Sequence, residues 1–145
     1  MRIATRSRAG KGRRGVAMVE LATILPMFVL LGFATIEASR MCMVAQLLAN
    51  AARDGCRVAV LATSTTSDVT TRVNATLSAA GFSSTAIASV TTTVSPSDVT
   101  TTTSGTQITV SLSVPFGSVN WLSTPFFYSS TTKITGVAAM RSQRP

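Results

Sequence analysis

The residues able to do chemistry in this chain are few and widely separated. Its 145 residues include no histidine, and the five acidic residues are scattered, at Glu20, Glu37, Asp54, Asp68 and Asp98. Without histidine no Ser/His/Asp or Cys/His arrangement forms, and two cysteines alone do not make a zinc site. The sequence also lacks an acidic metal cluster and a glycine-rich phosphate loop. We therefore expect no enzymatic activity, no cofactor or metal, and no small-molecule substrate.

Glu20 stands apart because it interrupts a long apolar run, from Val16 to Ile36. A carboxylate at the centre of a membrane costs roughly 2.5–3.5 kcal/mol, and less near a helix end. If the chain were cut after Gly15, Val16 would carry a free α-amino group and Glu20 would be the fifth residue. Pairing of these groups, around the helix start or between neighbouring copies, would offset the cost of burial. The pattern resembles the leader of type IV prepilins. The alternative is an uncleaved signal anchor with a glutamate near the membrane interface.

The basic residues indicate how such a helix is oriented. The net charge is +8, but six of the 13 basic residues lie in the first 14 positions, where no acid occurs. Residues 1–15 therefore form a basic leader that keeps the N-terminus in the cytoplasm. A nucleic-acid-binding arm is the usual competitor for such a run. The adjoining apolar segment favours a membrane, so we expect no nucleic-acid partner.

The apolar run predicts a transmembrane helix over residues 16–36. Its 21 residues span about 31 Å as a helix, enough to cross a hydrocarbon core. Pro26 and Gly32 are tolerated in membrane helices, and Pro26 is expected to loosen or kink this one. A cleaved secretory signal peptide is a further alternative, which would start the mature chain near Ser39. The run is longer than a typical signal-peptide core, however, and the site after it is poor.

Beyond the apolar run, residues 37–62 predict an amphipathic continuation of the same helix. Polar residues recur at spacings of four, three and four, whereas apolar residues lie mainly elsewhere around the helix. The polar set is Gln46, Asn50, Arg53 and Arg57. Gly55 costs about 1 kcal/mol relative to alanine inside a helix and marks a bend or a close contact. We expect one helix of about 45 residues.

Cys42 and Cys56 lie on this helix, 14 residues apart, or about 21 Å. A disulfide needs Cα atoms within about 7 Å, so the two cannot bridge each other while the helix is intact. Two interpretations stay open. Each cysteine is packed as a small apolar residue, or one forms an intermolecular disulfide in an oxidising compartment.

The last part, residues 63–145, is rich in serine and threonine. Between 63 and 104, 23 of 42 residues are Ser or Thr. One interpretation is a disordered or glycosylated stalk, with a formal acceptor at Asn74. We favour a folded part, in which Asp68 caps a helix carrying Val69, Val73, Leu77 and Ala80 and ending at Gly81. A threonine-rich strand from Ile87 to Val94 follows.

The clearest strand runs from Ile108 to Phe116, where apolar and polar residues alternate strictly. A final strand is predicted from about Thr131 to Met140. Between them, residues 117–130 form a loop with Trp121, Phe126, Phe127 and Tyr128, which either plugs the core or forms a contact patch. The whole predicts an α+β fold, with a small antiparallel sheet of about three strands packed on the outer half of the long helix, as in pilins.

Three stretches resemble the TadE-like pseudopilin family of the tight-adherence (Tad/Flp) pilus system. They are Arg13 to Leu21 followed by Pro26, the run Ala51-Ala52-Arg53-Asp54-Gly55-Cys56-Arg57, and the closing Ile134 to Arg141. Family members often carry an acidic residue after the last Met-Arg. Ser142 stands there in this chain, so no role of that residue is carried over.

The resemblance implies a single-pass protein of the bacterial inner membrane with a periplasmic C-terminal part. Gly15–Val16 would be the bond cut by a prepilin peptidase, and Glu20 would act in processing or assembly. The partners would be other pilin-like subunits or Tad membrane components, and the protein would be a minor component or assembly factor. Arg53, Asp54, Gly55 and Arg57 would be structural or would bind a partner. The alternative function is a bitopic surface protein that binds a ligand through its exported part and never enters a filament.

Overall fold

The chain divides into two units, and residues of one long helix belong to each of them. The structure is a computed structural model that describes residues 11–120 and 128–143. Helix α1 (Lys11–Ala59) has 49 residues. One unit extends to Ile36 and the other begins at Glu37. Residues 1–10 of the predicted leader lie outside the described residues, and residues 11–15 belong to α1.

The first unit is the apolar part of α1. The helix continues through Pro26, and its large apolar side chains, such as Val16, Met27 and Leu31, are exposed. Thr23 and Thr35 donate hydroxyl hydrogen bonds to the carbonyls four residues earlier, each at 2.9 Å. Such bonds satisfy polar side chains without water. From Gly15 onward α1 has the length and composition of a helix able to cross a membrane.

The second unit adds two short helices and three strands to the end of α1. In chain order they are α2 (Thr66–Ala79), α3 (Ser84–Ala88), β1 (Thr91–Ser95), β2 (Gln107–Pro115) and β3 (Lys133–Arg141). A long helix with a three-stranded antiparallel sheet confirms the predicted α+β fold.

Helix α2 occupies the predicted position, but its cap differs from the prediction. Thr65 is the N-cap and Asp68 is the third helical residue, and the two form a reciprocal capping box. The Thr65 backbone N–H donates to the Asp68 carboxylate at 2.8 Å, and the Asp68 N–H donates to the Thr65 hydroxyl at 3.3 Å. Val69, Val73 and Leu77 form the buried face, as their helical spacing predicts.

The strand predicted from Ile87 to Val94 is wrong over its first half. Ile87 lies in α3, and the strand starts at Thr91. The reason is local capping, because the Ser83 hydroxyl accepts a hydrogen bond from the Ala86 N–H and holds the first turn of α3. The apolar residues of this stretch therefore belong to two elements with different periodicities.

The sheet has the order β1-β2-β3, with both pairs antiparallel. In the central strand β2, Ile108, Val110, Leu112 and Val114 are fully buried, and the residues between them are not. This confirms the alternation predicted from the sequence. Strand β3 pairs with β2 over nine residues, from Gln107↔Arg141 to Pro115↔Lys133.

The core forms between α1 and one face of the sheet. The buried apolar side chains of α1 are Val44, Leu48, Ala51, Ala52, Cys56 and Ala59, which share one side of the helix. At Gly136 in β3 the helix comes so close that a Cβ would lie 2.5 Å from the backbone nitrogen of Ala49. The contact between α1 and β3 therefore requires glycine at this position.

The aromatic loop is described only in part. Trp121, Phe126 and Phe127 lie outside the described residues. Phe116 begins a short 3-10 helix (Phe116–Ser118) and is buried. Tyr128 packs edge-on against Phe116, with ring centroids 6.1 Å apart and planes at 76°. Tyr128 is 37% exposed, so at this residue the loop covers the edge of the core.

Candidate functional site

Gly15, Val16 and Glu20 lie within the first unit, on α1. Val16 and Glu20 are four residues apart, which places them on the same side of the helix, one turn apart. Both are exposed, Val16 at 68%. The two positions whose pairing the sequence predicts are therefore neighbours on one exposed surface, shared with Gly15 and Val19.

Packing within the described chain does not require glycine at position 15. A Cβ built there would have nothing within 4 Å, and the same is true of Gly32. Helix interiors disfavour glycine by about 1 kcal/mol relative to alanine. The free-energy cost of having glycine at position 15 of the helix is thus not offset by any packing contact in the described structure.

The run from Ala51 to Arg57 contains two interleaved sets of residues, one buried and one charged. Ala51, Ala52 and Cys56 are fully buried. At Gly55 a Cβ would lie 2.8 Å from Cγ2 of Val73 and 3.5 Å from Cγ1 of Val110. Gly55 is therefore the point where α1 closely approaches α2, which is one of the two alternatives, a bend or a close contact, that its presence in the helix predicts.

The charged residues of the run form an ion cluster centred on Asp54. One carboxylate oxygen lies 3.5 Å from the Arg57 guanidinium, and the other lies 3.8 Å from that of Arg72. The Thr76 hydroxyl also reaches the second oxygen, at 3.4 Å. The two arginine side chains are 73% and 57% exposed, so each pair contributes only about 0–1 kcal/mol.

Arg53 is not held by Asp54. Its guanidinium donates to the Asn50 side-chain oxygen at 3.0 Å, on the exposed side of α1. Arg57 and Arg72 thus flank Asp54, and Arg53 lies one turn before Arg57 on the exposed surface of α1. The arrangement can accept an anionic group from a partner, while Asp54 balances part of the charge.

The two cysteines are in opposite environments. Cys56 is fully buried and its thiol donates to the Ala138 carbonyl oxygen at 3.2 Å. Burial raises the pKa of the Cys56 thiol above its ordinary value, and the backbone N–H of Val110 lowers it by less. Cys42 is exposed. Cys56 therefore behaves as a packed apolar residue, and only Cys42 is accessible for the intermolecular disulfide left open by the sequence.

Sequence analysis missed two residues of these contacts. Arg72 lies on α2, and its spacing from Asp54 carries no local signal because the pair forms across two helices. Gly136 enters the sequence analysis only within Ile134 to Arg141, the stretch that resembles the last strand of the TadE-like family. Its position in a strand was the available clue, since a glycine inside a strand often marks a close backbone approach.

The fold defines a class of protein. It is an α+β protein whose long N-terminal helix is apolar and exposed at first and then packs on a small antiparallel sheet. Among the described residues, no group of three His, Cys, Asp or Glu side chains could hold a metal ion.

The family model for TadE-like proteins matches residues 15–57, a little under a third of the chain. This confirms the resemblance over the apolar part of α1 and the run from Ala51 to Arg57, whereas the closing stretch of β3 lies outside the match. TadE-like proteins are a structural, pilus-associated family, and the matched segment holds the single candidate membrane helix of the described residues. No curated protein and no solved structure gives a match.

Proposed function

We propose that this protein is a pseudopilin-like minor component or assembly factor of a Tad-type pilus, processed between Gly15 and Val16. The observation that carries the proposal is the coincidence of three features at the bond between Gly15 and Val16. The family match begins at Gly15, the exposed apolar surface begins at Val16, and Gly15 has no packing role in the described structure. A recognition role for Gly15 in cleavage by a prepilin peptidase accounts for the glycine.

After cleavage, Glu20 pairs with the new amino group of Val16, either in its own chain or in a neighbouring subunit. The side chains of Val16 and Glu20 already share one side of α1. In an apolar setting the pair is worth more than in water, because each charge otherwise lacks a partner. The exposed apolar side chains from Val16 to Ile36 then pack in the inner membrane and against other pilin-like helices.

Arg53, Arg57 and Arg72 are exposed and give the second unit a basic surface, on which the Asp54 carboxylate neutralises part of the charge of Arg57 and Arg72. We assign this surface to a partner subunit of the Tad machinery that carries an acidic group. Gly55 and Asp54 support it structurally, Gly55 by its close contact with Val73 and Asp54 by its position between two arginines.

The test of processing is the N-terminal residue of the full chain, produced together with a prepilin peptidase and measured by mass spectrometry. We expect the mature chain to start at Val16. The variant Gly15→Val should remain uncleaved, whereas Gly32→Val should be cleaved normally. These two glycines are matched, because neither has a neighbour within 4 Å of a built Cβ.

A start at Met1 in the wild-type chain would overturn processing and favour the bitopic surface protein. Cleavage of Gly15→Val at the wild-type level would remove the role assigned to Gly15.

The role of Glu20 is tested separately, by co-purification of the mature chain with pilin-like subunits. Glu20→Gln keeps the size of the side chain and removes its charge. We expect this variant to start at Val16 but to lose the subunits. Thr23→Val is the control, since the Thr23 hydroxyl bonds only the carbonyl of Val19 in its own helix. Wild-type recovery of subunits with Glu20→Gln would exclude the pairing.

A further inference from the structure

Strand β3 forms one edge of the sheet, and the direction of its outer hydrogen-bonding groups follows from the register. The Phe116 N–H donates to the Thr132 carbonyl, and the Ser142 N–H donates to the Thr106 carbonyl, both at 2.8 Å. These bonds continue the β2–β3 ladder at its two ends. Even-numbered residues of β3 therefore bond to β2, and odd-numbered residues direct their N–H and C=O groups away from the sheet.

This outer edge is open in the described structure. Within residues 11–120 and 128–143, the backbone hydrogen bonds of β3 are those of its ladder with β2. The odd-numbered side chains are all exposed: Lys133, Thr135, Val137, Ala139 and Arg141. Val137, at the centre, is 57% exposed.

The edge also lacks the features that usually prevent strand addition. Natural edge strands are shortened, bulged, or interrupted by proline or charge. Strand β3 is nine residues long, pairs without a bulge, and has neither proline nor charge from Ile134 to Met140. The opposite edge strand, β1, has only five residues and is followed by Pro96. The open edge of β3 is therefore the better template for an added strand.

We propose that the outer edge of β3 binds an extended strand of a different protein, one with acidic residues near both ends. Lys133 and Arg141 provide the recognition, since their side chains lie on one face of the sheet, eight residues or about 27 Å apart. Carboxylates eight residues apart on the added strand face both cations. The backbone bonds supply the affinity, as in other cases of strand addition.

The same charges disfavour a second copy of this chain as the occupant. Antiparallel pairing of two β3 strands about Val137 would place Lys133 opposite Arg141 at both ends. Parallel pairing in register would place each cation opposite its own counterpart. Like charges directly opposite each other on neighbouring strands are destabilising.

The Arg141 end of the edge also offers space for a side chain. A shallow cavity of about 290 Å³ is lined there by Gln107, Ala139, Met140 and Arg141. Because Arg141 is part of its lining, the cavity suits a carboxylate of the incoming strand. This inference stands on β3 alone and does not depend on cleavage at Gly15.

The test uses the full chain in detergent micelles and two fluorescent nine-residue peptides. Both have the alternating interior Thr-Val-Ser-Val-Ser-Val-Thr, one with glutamate and the other with lysine at each end. Fluorescence anisotropy at low salt should show the glutamate peptide binding about tenfold more tightly, with the difference shrinking as salt is added. Equal binding of the two peptides, or no binding of either, would overturn the proposal.

Two sets of variants localise the binding. Ala139→Pro removes an outward N–H without removing a bond to β2 and should abolish binding, whereas Ala139→Thr keeps the N–H and should bind normally. If the proline variant does not fold, the double variant Lys133→Glu with Arg141→Glu decides the question, because it should reverse the preference towards the lysine peptide. An unchanged preference in the double variant, or normal binding by a folded proline variant, would contradict the proposal.

Hydrogen exchange tests the edge directly. In the free chain the amides of Thr135, Val137 and Ala139 should exchange rapidly, while those of Gly136 and Ala138 are protected. The glutamate peptide should slow the first set. Uniform protection in the free chain, or a dimer in light scattering that Ala139→Pro abolishes, would assign the edge to another segment or to a second copy and overturn the proposal.

Discussion

The two halves of α1 have the same backbone structure but opposite surroundings. From Val16 to Ile36 the large apolar side chains other than the half-buried Phe33 are exposed, with Val16 at 68% and Leu31 at 61%. From Glu37 onward one side of the helix is fully buried, for example at Val44 and Leu48. The first half is apolar around its circumference, whereas the second half is apolar on one side. Helix length alone therefore says little about function, and the angular distribution of apolar residues tells which half packs on a sheet.

The glycines of the molecule show the same contrast. Gly15 and Gly32, in the first half, have no neighbour within 4 Å of a built Cβ. Gly55 and Gly136, in the second unit, would place a Cβ within 3 Å of an atom across an interface. Gly15 and Gly32 thus have no packing role in the described structure, whereas Gly55 and Gly136 are fixed by packing.

The largest expected effect tests this contrast with two leucines of the same helix. Leu48→Ala removes a fully buried side chain and should lower the free energy of unfolding of the second unit by about 2–5 kcal/mol. Leu31→Ala, at an exposed site, should change that free energy by less than about 0.5 kcal/mol. Denaturant unfolding of the full chain in detergent, followed by near-UV circular dichroism, gives both values. Equal losses would show that the two halves do not differ as described.

A second comparison uses two glycines. In Gly136→Ala the new methyl group meets the backbone of Leu48 and Ala49, which cannot rotate away, so we expect a loss of about 3 kcal/mol. Gly32→Ala enters open space and should have no effect on the second unit. The difference in melting temperature measures this. A Gly136→Ala variant as stable as the wild type would mean that α1 is not held against β3 at this point.

A smaller effect concerns pH. The backbone N–H and then the hydroxyl of Thr65 hold the pKa of the Asp68 carboxyl below its ordinary value. The native pKa is thus lower than the unfolded one, so the capping interaction is fully present above the unfolded value, near pH 4, and is lost as the pH falls through the native value.

Stability of the second unit should therefore fall more steeply between about pH 5 and pH 2 in the wild type than in Asp68→Asn. Thermal unfolding across this range provides the measurement, and the helical signal of the apolar half serves as the internal control. Identical pH profiles for the two proteins would rule out the contribution of Asp68.

The last prediction concerns the reactivity of the two cysteines and involves no change in stability. Under native conditions iodoacetamide should add one group, at the exposed Cys42, because the buried Cys56 thiol has a raised pKa and donates to the Ala138 carbonyl. Cys42→Ser should therefore remain unmodified until the chain is unfolded. Intact-mass spectrometry counts the added groups, and modification of Cys56 in the folded Cys42→Ser variant would contradict its packing.

The elements that follow from local periodicity were predictable from the sequence. They include the long helix, its change from apolar to amphipathic near residue 37, and the buried face of α2. The strict alternation along β2 also belongs here, because a period of two or about 3.6 residues is set by backbone geometry and is visible in one stretch of chain. The prediction failed between residues 87 and 90, where the short helix α3, capped by the Ser83 hydroxyl, occupies the first part of the predicted strand.

The candidate sites divide in the same way. The sequence by itself identified Gly15, Val16 and Glu20 as candidates, since their spacing lies within two turns of one helix and needs no other element. It also located the run from Ala51 to Arg57, although not which of its residues are buried. Only the tertiary structure decided that Gly55 and Gly136 are contact points, that Arg72 joins Asp54, and that one edge of β3 is open among the residues that the structure describes. Each of these depends on residues far apart in the chain, and their proximity arises from the packing of α1 and α2 with the sheet and from the order of its strands.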